Sequence, residues 1–178
     1  MIKTRKISLL AHTILFLYIL LLFWIIALKC NMEITISDTK FMNAGTTLIE
    51  RFRMYLSYKI FFVDFEDSFV NVMFFLPLGM VLPFIMRKHT YLNTVVCGAL
   101  ISIGFEVFQI VSCVGMFTYA DIIFNTLGTL IGAILHLALI NTAKEKSLTI
   151  AFTVHILILI PVLVYAAINT VNNIYLYF

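Results

Sequence analysis

Five long apolar stretches divide the sequence, and each is close to the roughly 20 residues that an α-helix needs to cross a bilayer. Hydrophobic residues make up 62% of the 178-residue chain and charged residues only 12%, which is too little charge for the surface of a water-soluble domain. We therefore predict an all-α fold, a polytopic membrane helical bundle that forms a single membrane domain over residues 1–178. The predicted transmembrane helices cover about 7–28, 67–86, 91–112, 119–141 and 148–168.

The basic residues at the edges of these stretches predict the orientation of the helices. Short cytoplasmic connections are enriched in Lys and Arg. If all five helices cross, one side of the membrane receives the basic residues of every short charged connection: Lys3, Arg5, Lys6, Arg87, Lys88, Lys144 and Lys146. The other side receives the long loop 29–66, in which acidic residues offset the basic ones, and an uncharged tail. This pattern predicts that the N-terminus is inside and the C-terminus outside.

The outer loop 29–66 is longer than a connection between packed helices usually is. Its segment LIERFRMYLSYKIFFVDF spaces apolar residues at roughly helical intervals, with Arg51, Arg53 and Lys59 among them. The segment is either an amphipathic helix on the outer membrane surface or a partly ordered loop. Before this loop, the apolar run after MIKTRK is too long for the core of a cleaved signal peptide, so we expect the first helix to be retained.

Four polar side chains interrupt the third and fourth apolar stretches, in FEVFQIVSCVGMFTYADIIFNT. Glu106 and Gln109 share one helix face, and Asp121 and Asn125 share another. All four lie within about two turns of the connection between the helices, so they can meet in the outer half of the membrane. Asn71 of the second helix reaches a similar depth, and these five residues are the predicted ligand-binding site. For Gln109 and Asn125, hydrogen bonding that only holds the helices together is an equally good interpretation.

The two acids give the stronger indication of function. A charged acid near the middle of a bilayer costs about 2.5–3.5 kcal/mol on insertion scales, a cost that an amide would avoid. The cations that could approach lie in the outer loop, where Arg51 and Arg53 are candidate contacts for an anionic group. We expect Glu106 and Asp121 to share a proton in a cavity open to the outside. If the protein is an enzyme, they are the candidate catalytic residues.

Glycine and proline residues indicate how the helices pack. Gly128 and Gly132 form the pattern GTLIG, whose spacing allows two helices to approach closely in lipid. Pro77 has no N–H to donate and displaces the carbonyl of Met73, while Gly79 allows the resulting bend to be absorbed. The kink is either purely structural or shapes the polar site, and both interpretations stay open.

No pattern in the sequence predicts a metal, a cofactor or a nucleic-acid partner. The predicted topology separates the four histidines from the acids, and no glycine-rich phosphate loop or Ser-His-Asp set is present. The net charge of +3 is small for a nucleic-acid-binding protein. We expect the cysteines to be free thiols, although a disulfide between Cys30 and Cys113 remains an alternative.

Three motifs in order resemble the VanZ-like family of bacterial integral membrane proteins. They are Asn71-x-x-x-Phe75-x-Pro77-x-Gly79, Glu106-x-x-Gln109 and Asp121-x-x-x-Asn125-Thr126-x-Gly128. The sequence departs from the family pattern in the turn before the third motif. Many relatives carry a basic residue and a further Asp there, where this chain has Gly115 and Thr118.

The resemblance implies a multi-pass protein of the bacterial cell membrane. In some members it implies reduced sensitivity to glycopeptide antibiotics, especially those of the teicoplanin type. It implies no molecular mechanism, and the two departures mean that a mechanism needing the full set of charges does not transfer.

The sequence is compatible with three functions. In the first, an outer polar cavity binds or moves an envelope lipid or an amphiphile, so that the partners are membrane lipids, lipid-linked envelope precursors or glycopeptide drugs. In the second, the protein is a membrane enzyme that modifies a lipid-linked envelope precursor, with Glu106 or Asp121 as general acid or base. In the third, it is a membrane scaffold or assembly protein whose polar residues only join helices.

Overall fold

The described part of the chain is helical. The computed structural model describes residues 2–27, 47–50, 53, 65–86, 91–112, 117–143, 146, 149–151, 153–154, 156–161 and 164. Helix α1, Ile2–Leu22, continues into a π-helical turn, Phe23–Ala27; it is followed by α2, Phe65–Ile85, α3, Tyr91–Ser112, and α4, Tyr119–Ala143. Within the ranges described, the chain contains no β-strand. The predicted all-α helical bundle is therefore confirmed.

Three helices are long and apolar enough to cross a membrane. These are Ser68–Ile85 within α2, together with the whole of α3 and of α4. Shorter apolar helices lie at His12–Ile26 and Thr149–Pro161, where the first and fifth crossings are predicted. The total of five crossings and the orientation of the two termini stay predictions.

Helix α2 is the central element of the bundle. It contacts α1, α3 and α4, and every residue from 74 to 83 is buried. An all-round apolar helix belongs in the interior of a bundle, and the sequence of α2 has this character. Phe75 is fully buried and packs edge-on against Phe105 of α3, with ring centroids 6.3 Å apart.

Helices α2 and α4 approach so closely that their contact requires glycine. A Cβ on Gly128 would overlap the carbonyl oxygen of Val72, and a Cβ on Gly132 would overlap that of Leu76. On the opposite side of the contact, a Cβ on Gly79 would overlap the backbone of α4. Both glycines of GTLIG therefore lie at a helix–helix contact.

Pro77 lies inside the continuous helix α2. A proline in a helix interior leaves the hydrogen-bond ladder incomplete on the preceding turn. Here the hydroxyl of Tyr18 in α1 donates to the carbonyl oxygen of Phe74, three residues before the proline, over 2.5 Å. The sequence predicts that Pro77 frees the carbonyl of Met73, whereas the side-chain hydrogen bond described here is made to the next carbonyl along the helix, that of Phe74.

The second internal proline of α2, Pro83, has the same arrangement. The carbonyl oxygen of Met80, again three residues earlier, lies 3.1 Å from Nδ1 of His136 in α4. Because a carbonyl only accepts, Nδ1 carries the proton in this hydrogen bond. The imidazole also packs edge-on against Phe84, with centroids 4.3 Å apart. Each proline turn of α2 is thus tied to a neighbouring helix by a side-chain donor.

A helix begins in the outer loop at Leu48. Thr47 and Glu50 form a reciprocal capping box: the Glu50 N–H donates to Oγ1 of Thr47 over 3.3 Å, and the Thr47 N–H donates to Oε2 of Glu50 over 2.6 Å. Arg53 is also helical and is exposed. The first turn of the predicted amphipathic segment is therefore helical.

Candidate functional site

The predicted site residues lie at one end of the bundle, where α2 and α4 begin and α3 ends. We refer to them, with one addition, as the polar cluster: Asn71, Glu106, Gln109, Thr118, Asp121 and Asn125. The addition is Thr118, which immediately precedes α4.

Asn71 and Asp121 connect the second turn of α2 to the first turn of α4. The Asn71 amide donates from Nδ2 to Oδ1 of Asp121 over 2.8 Å. Both side chains are half-buried. The two acceptor sites of a carboxylate group allow it to hold this amide and still accept from a further donor.

Thr118 connects the two acids and caps α4. Its hydroxyl accepts from the N–H of Asp121 over 3.2 Å, as a helix N-cap does at the third helical position. In a capping box, the side chain at that third position would return to the N–H of the cap residue. Here Glu106 of α3 takes that role, because the Thr118 N–H donates to its Oε2 over 3.0 Å. Because Glu106 accepts the N–H of Thr118, the Asp121 carboxylate is available to accept from the Asn71 amide.

Glu106 and Asp121 differ in their exposure. Glu106 is 0% exposed, whereas Asp121 is half-buried. Both lie at the N-terminus of α4, where the helix dipole favours negative charge. The described connection between them runs through Thr118, and the shared proton and the outward cavity stay predictions.

Gln109 ties the polar cluster to α1. Its Nε2 donates to the carbonyl oxygen of Ile26, in the π-helical turn, over 2.8 Å. Because a carbonyl oxygen only accepts, the amide cannot be turned around in this contact. Its Oε1 is buried and has no hydrogen-bond partner in the described part of the chain. Gln109 therefore contributes a fixed acceptor to the buried interior.

Asn125 lies one helical turn deeper than Asp121. It donates from Nδ2 to the hydroxyl of Ser102 in α3 over 2.9 Å, and it is 0% exposed. Its Oδ1 is likewise buried without a hydrogen-bond partner among the residues described. A hydroxyl both donates and accepts, so this amide can present either its oxygen or its NH₂ group to the interior.

The structure thus places the five predicted residues at one end of the bundle, but they do not all contact one another. Asn71, Glu106 and Asp121 are linked through direct contacts and Thr118, whereas Gln109 and Asn125 reach α1 and Ser102. In the sequence alone, Thr118 is notable only as a departure from a family pattern. The signal that identifies its role is the N-cap pattern Thr118-x-x-Asp121 directly before an apolar run.

Two arginines of the loop 29–66 are the candidate anion contacts. Arg51 lies outside the described residues, and Arg53 is exposed. Helices α2, α3 and α4 contain no Lys or Arg.

The described side chains contain no group of three or more His, Cys, Asp or Glu that could hold a metal ion. Cys97 is a free thiol on α3. The other two cysteines, Cys30 and Cys113, lie outside the described residues.

The polar cluster falls within a region that matches a known family. The model of the VanZ/LLP1 family matches residues 15–141, which is more than half of the 178-residue chain. The chain belongs to the VanZ/LLP1 family. The match begins within α1 and ends within α4, so it includes every helix that contributes to the polar cluster of this VanZ-like membrane protein. No curated protein and no solved structure matches the chain.

Proposed function

We propose that this VanZ-like protein binds or moves an envelope lipid or another amphiphile at the polar cluster. Such binding would lower the sensitivity of a bacterial cell to teicoplanin-type glycopeptides by changing what the drug meets at the membrane surface. The observation that supports the proposal is the buried Oε1 of Gln109, a fixed acceptor that has no donor among the described residues.

The energetic cost of such an acceptor favours a ligand. A buried polar atom left without its hydrogen bond costs about 1–3 kcal/mol. A bound headgroup that donates to Gln109 would remove the cost. An acyl chain would then lie along the apolar outer surface of the bundle, where Val107, Val111 and Leu127 are exposed.

The test is the double variant Glu106→Gln with Asp121→Asn, which keeps the shape of both side chains and replaces each carboxyl group with an amide. We expect the purified variant to retain less bound lipid, measured by native mass spectrometry. We also expect a host that expresses it to lose any decrease in teicoplanin sensitivity that the wild-type protein gives. Asn93→Ala is the control, because Asn93 is exposed at the opposite end of α3. Unchanged lipid retention and unchanged drug sensitivity in the double variant would refute the proposal.

A scaffold function is the second candidate, and the hydrogen bonds between helices favour it. Asn71, Gln109 and Asn125 each donate to a different helix or turn, as carboxamides that join membrane helices do. In that case the double variant should unfold more easily in detergent while the wild-type protein retains no specific lipid. Thermal unfolding and native mass spectrometry on the same samples separate the two candidates.

A further inference from the structure

We infer that the amphiphile carries a neutral polyhydroxylated headgroup, and that its hydroxyl groups contact Gln109 and the pair formed by Ser102 and Asn125. A glycosyl group and a glyceryl group both have this chemistry. The inference rests on the proposed function and specifies the headgroup that the same site would take.

The Gln109 side chain provides a hydrogen-bond acceptor in the interior of the bundle. Its Nε2 donates to the carbonyl oxygen of Ile26, and this contact fixes the orientation of the amide. Its Oε1 is buried and has no hydrogen-bond partner among the described residues. A ligand group that contacts this atom must therefore carry an N–H or O–H. A phosphodiester and a quaternary ammonium group have neither.

Ser102 and Asn125 form a pair that can both donate and accept. With Nδ2 of Asn125 donating to the Ser102 hydroxyl over 2.9 Å, the buried Oδ1 of Asn125 is left as an acceptor and the Ser102 proton as a donor. If the amide is turned around, Nδ2 becomes the donor and the Ser102 oxygen the acceptor. In either orientation, a third group that donates and accepts completes the pair. A hydroxyl group does both, whereas a primary ammonium group only donates.

The positions of these side chains favour a headgroup with more than one hydroxyl group. Ser102 and Gln109 lie on the buried face of α3, seven residues and so about 10 Å apart along the helix axis. A single hydroxyl group is small compared with that separation. A sugar ring or a glycerol chain presents hydroxyl groups at several positions, so one headgroup can contact both Gln109 and the Ser102–Asn125 pair.

The burial of the contacting groups favours a neutral ligand. Ser102, Gln109 and Asn125 are each 0% exposed, and none of the three carries a charge. Moving an ionised group out of water into such surroundings costs far more than moving a hydroxyl group that regains its hydrogen bonds. The hydroxyl groups of a headgroup would regain them from these three side chains.

The experiment compares four lipids with identical acyl chains on the purified full-length protein in detergent. Glucosyl diacylglycerol and phosphatidylglycerol carry hydroxyl groups in their headgroups. Phosphatidylethanolamine has a primary ammonium group that only donates, and phosphatidylcholine has no donor. Native mass spectrometry at matched concentrations gives the relative affinities. We expect the better of the two hydroxylated lipids to bind about tenfold more tightly than the other two phospholipids, a ratio that corresponds to about 1.4 kcal/mol.

Two variants test the contacts separately. Gln109→Met removes the acceptor at one position, and Ser102→Ala removes the hydroxyl group at the other. We expect each to reduce the preference for the hydroxylated lipid to below about threefold. Thr129→Val is the matched control, because Thr129 is also 0% exposed and its hydroxyl donates to the backbone carbonyl oxygen of Asn125 within α4. It should keep the full preference.

Thermal unfolding of the same samples shows which variants are folded. If Gln109→Met does not fold, Ser102→Ala decides the test. A full preference in the folded variants would overturn the inference, as would an equal loss of preference in Thr129→Val.

The outcomes also separate this inference from the proposed function. If phosphatidylethanolamine or phosphatidylcholine binds as tightly as the better hydroxylated lipid, the headgroup inference is wrong and lipid binding stands. If none of the four lipids binds the wild-type protein above the level of a non-specific control membrane protein, the proposed function fails as well. A preference for either hydroxylated lipid supports the inference, and the tighter of the two identifies the hydroxyl groups as those of a sugar or of a glycerol.

Discussion

Replacing Gly132 by alanine should destabilise the bundle, whereas the same replacement at Gly104 should stabilise it. Both glycines lie inside helices, where Ala is favoured over Gly by about 1 kcal/mol. They differ in what a methyl group would meet. Outside its own helix backbone and chain neighbours, a Cβ added at Gly104 would meet no atom of the described residues within 4 Å. A Cβ added at Gly132 would lie 2.1 Å from the carbonyl oxygen of Leu76 and 2.9 Å from both the Cα of Gly79 and the N of Met80.

The magnitude follows from the kind of atom that obstructs the methyl group. Overpacking costs about 1–3 kcal/mol when neighbouring groups must shift. The atoms facing Gly132 belong to the backbone of α2, so no rotation of a side chain can relieve the overlap. The helices must separate along their closest contact. We therefore expect a net loss of about 1–2 kcal/mol for Gly132→Ala after the gain in helix propensity.

Unfolding in mixed micelles, followed by circular dichroism during titration with a denaturing detergent, measures both variants against the wild-type protein. We expect Gly132→Ala to unfold at a lower detergent fraction and Gly104→Ala at an equal or higher one. If the two variants shift in the same direction by similar amounts, the close α2–α4 approach does not determine stability, and the packing argument fails.

Two further predictions concern hydrogen bonds made by side chains. Tyr18→Phe should lower the free energy of unfolding by about 0.5–1.5 kcal/mol, because it removes the donor to the Phe74 carbonyl in the turn before Pro77. The same detergent titration measures this loss, and an unchanged midpoint would show that the hydrogen bond does not stabilise the bundle. Hydrogen bonds from the backbone N–H of Thr47, and secondly from its hydroxyl, hold the pKa of the Glu50 carboxyl below its ordinary value. The capping box should thus be fully formed above the ordinary pKa of Glu and be lost as the pH falls through the lowered pKa of Glu50. An NMR titration of the full-length protein should therefore give Glu50 a lower midpoint in the wild-type protein than in the variant Thr47→Val.

The bounds of the three long helices could be predicted closely from the sequence. The second, third and fourth predicted helices began and ended within two residues of α2, α3 and α4. A span has to match the thickness of the hydrocarbon core, and charged or polar residues flank each of these stretches. The first helix was less well placed: α1 begins at Ile2, inside the basic segment that precedes the apolar run.

The partners of the polar residues could not be predicted in the same way. Spacing along a helix places Glu106 and Gln109 on one face, but it does not give the rotation of that face relative to the other helices. Gln109 turns towards the carbonyl of Ile26, and Asn125 turns towards Ser102. Both contacts depend on residues that carry no distinctive motif. They arise from how the bundle packs, which sequence periodicity alone does not determine.

The capping arrangement at Thr118 explains how the carboxyl group of Glu106 is accommodated inside an apolar bundle. A carboxylate removed from water needs donors, and a backbone N–H at a helix start needs an acceptor. Glu106 meets both needs at once, since it receives the N–H of Thr118 at the positive end of α4. Loss of the Thr118 hydroxyl would leave this contact in place, whereas loss of the Glu106 carboxyl group would leave the N–H of Thr118 without its acceptor. Glu106 therefore has a structural role that Asp121, held by an amide at the half-buried edge, does not share, and for this reason Asp121→Asn is the cleaner probe of ligand binding.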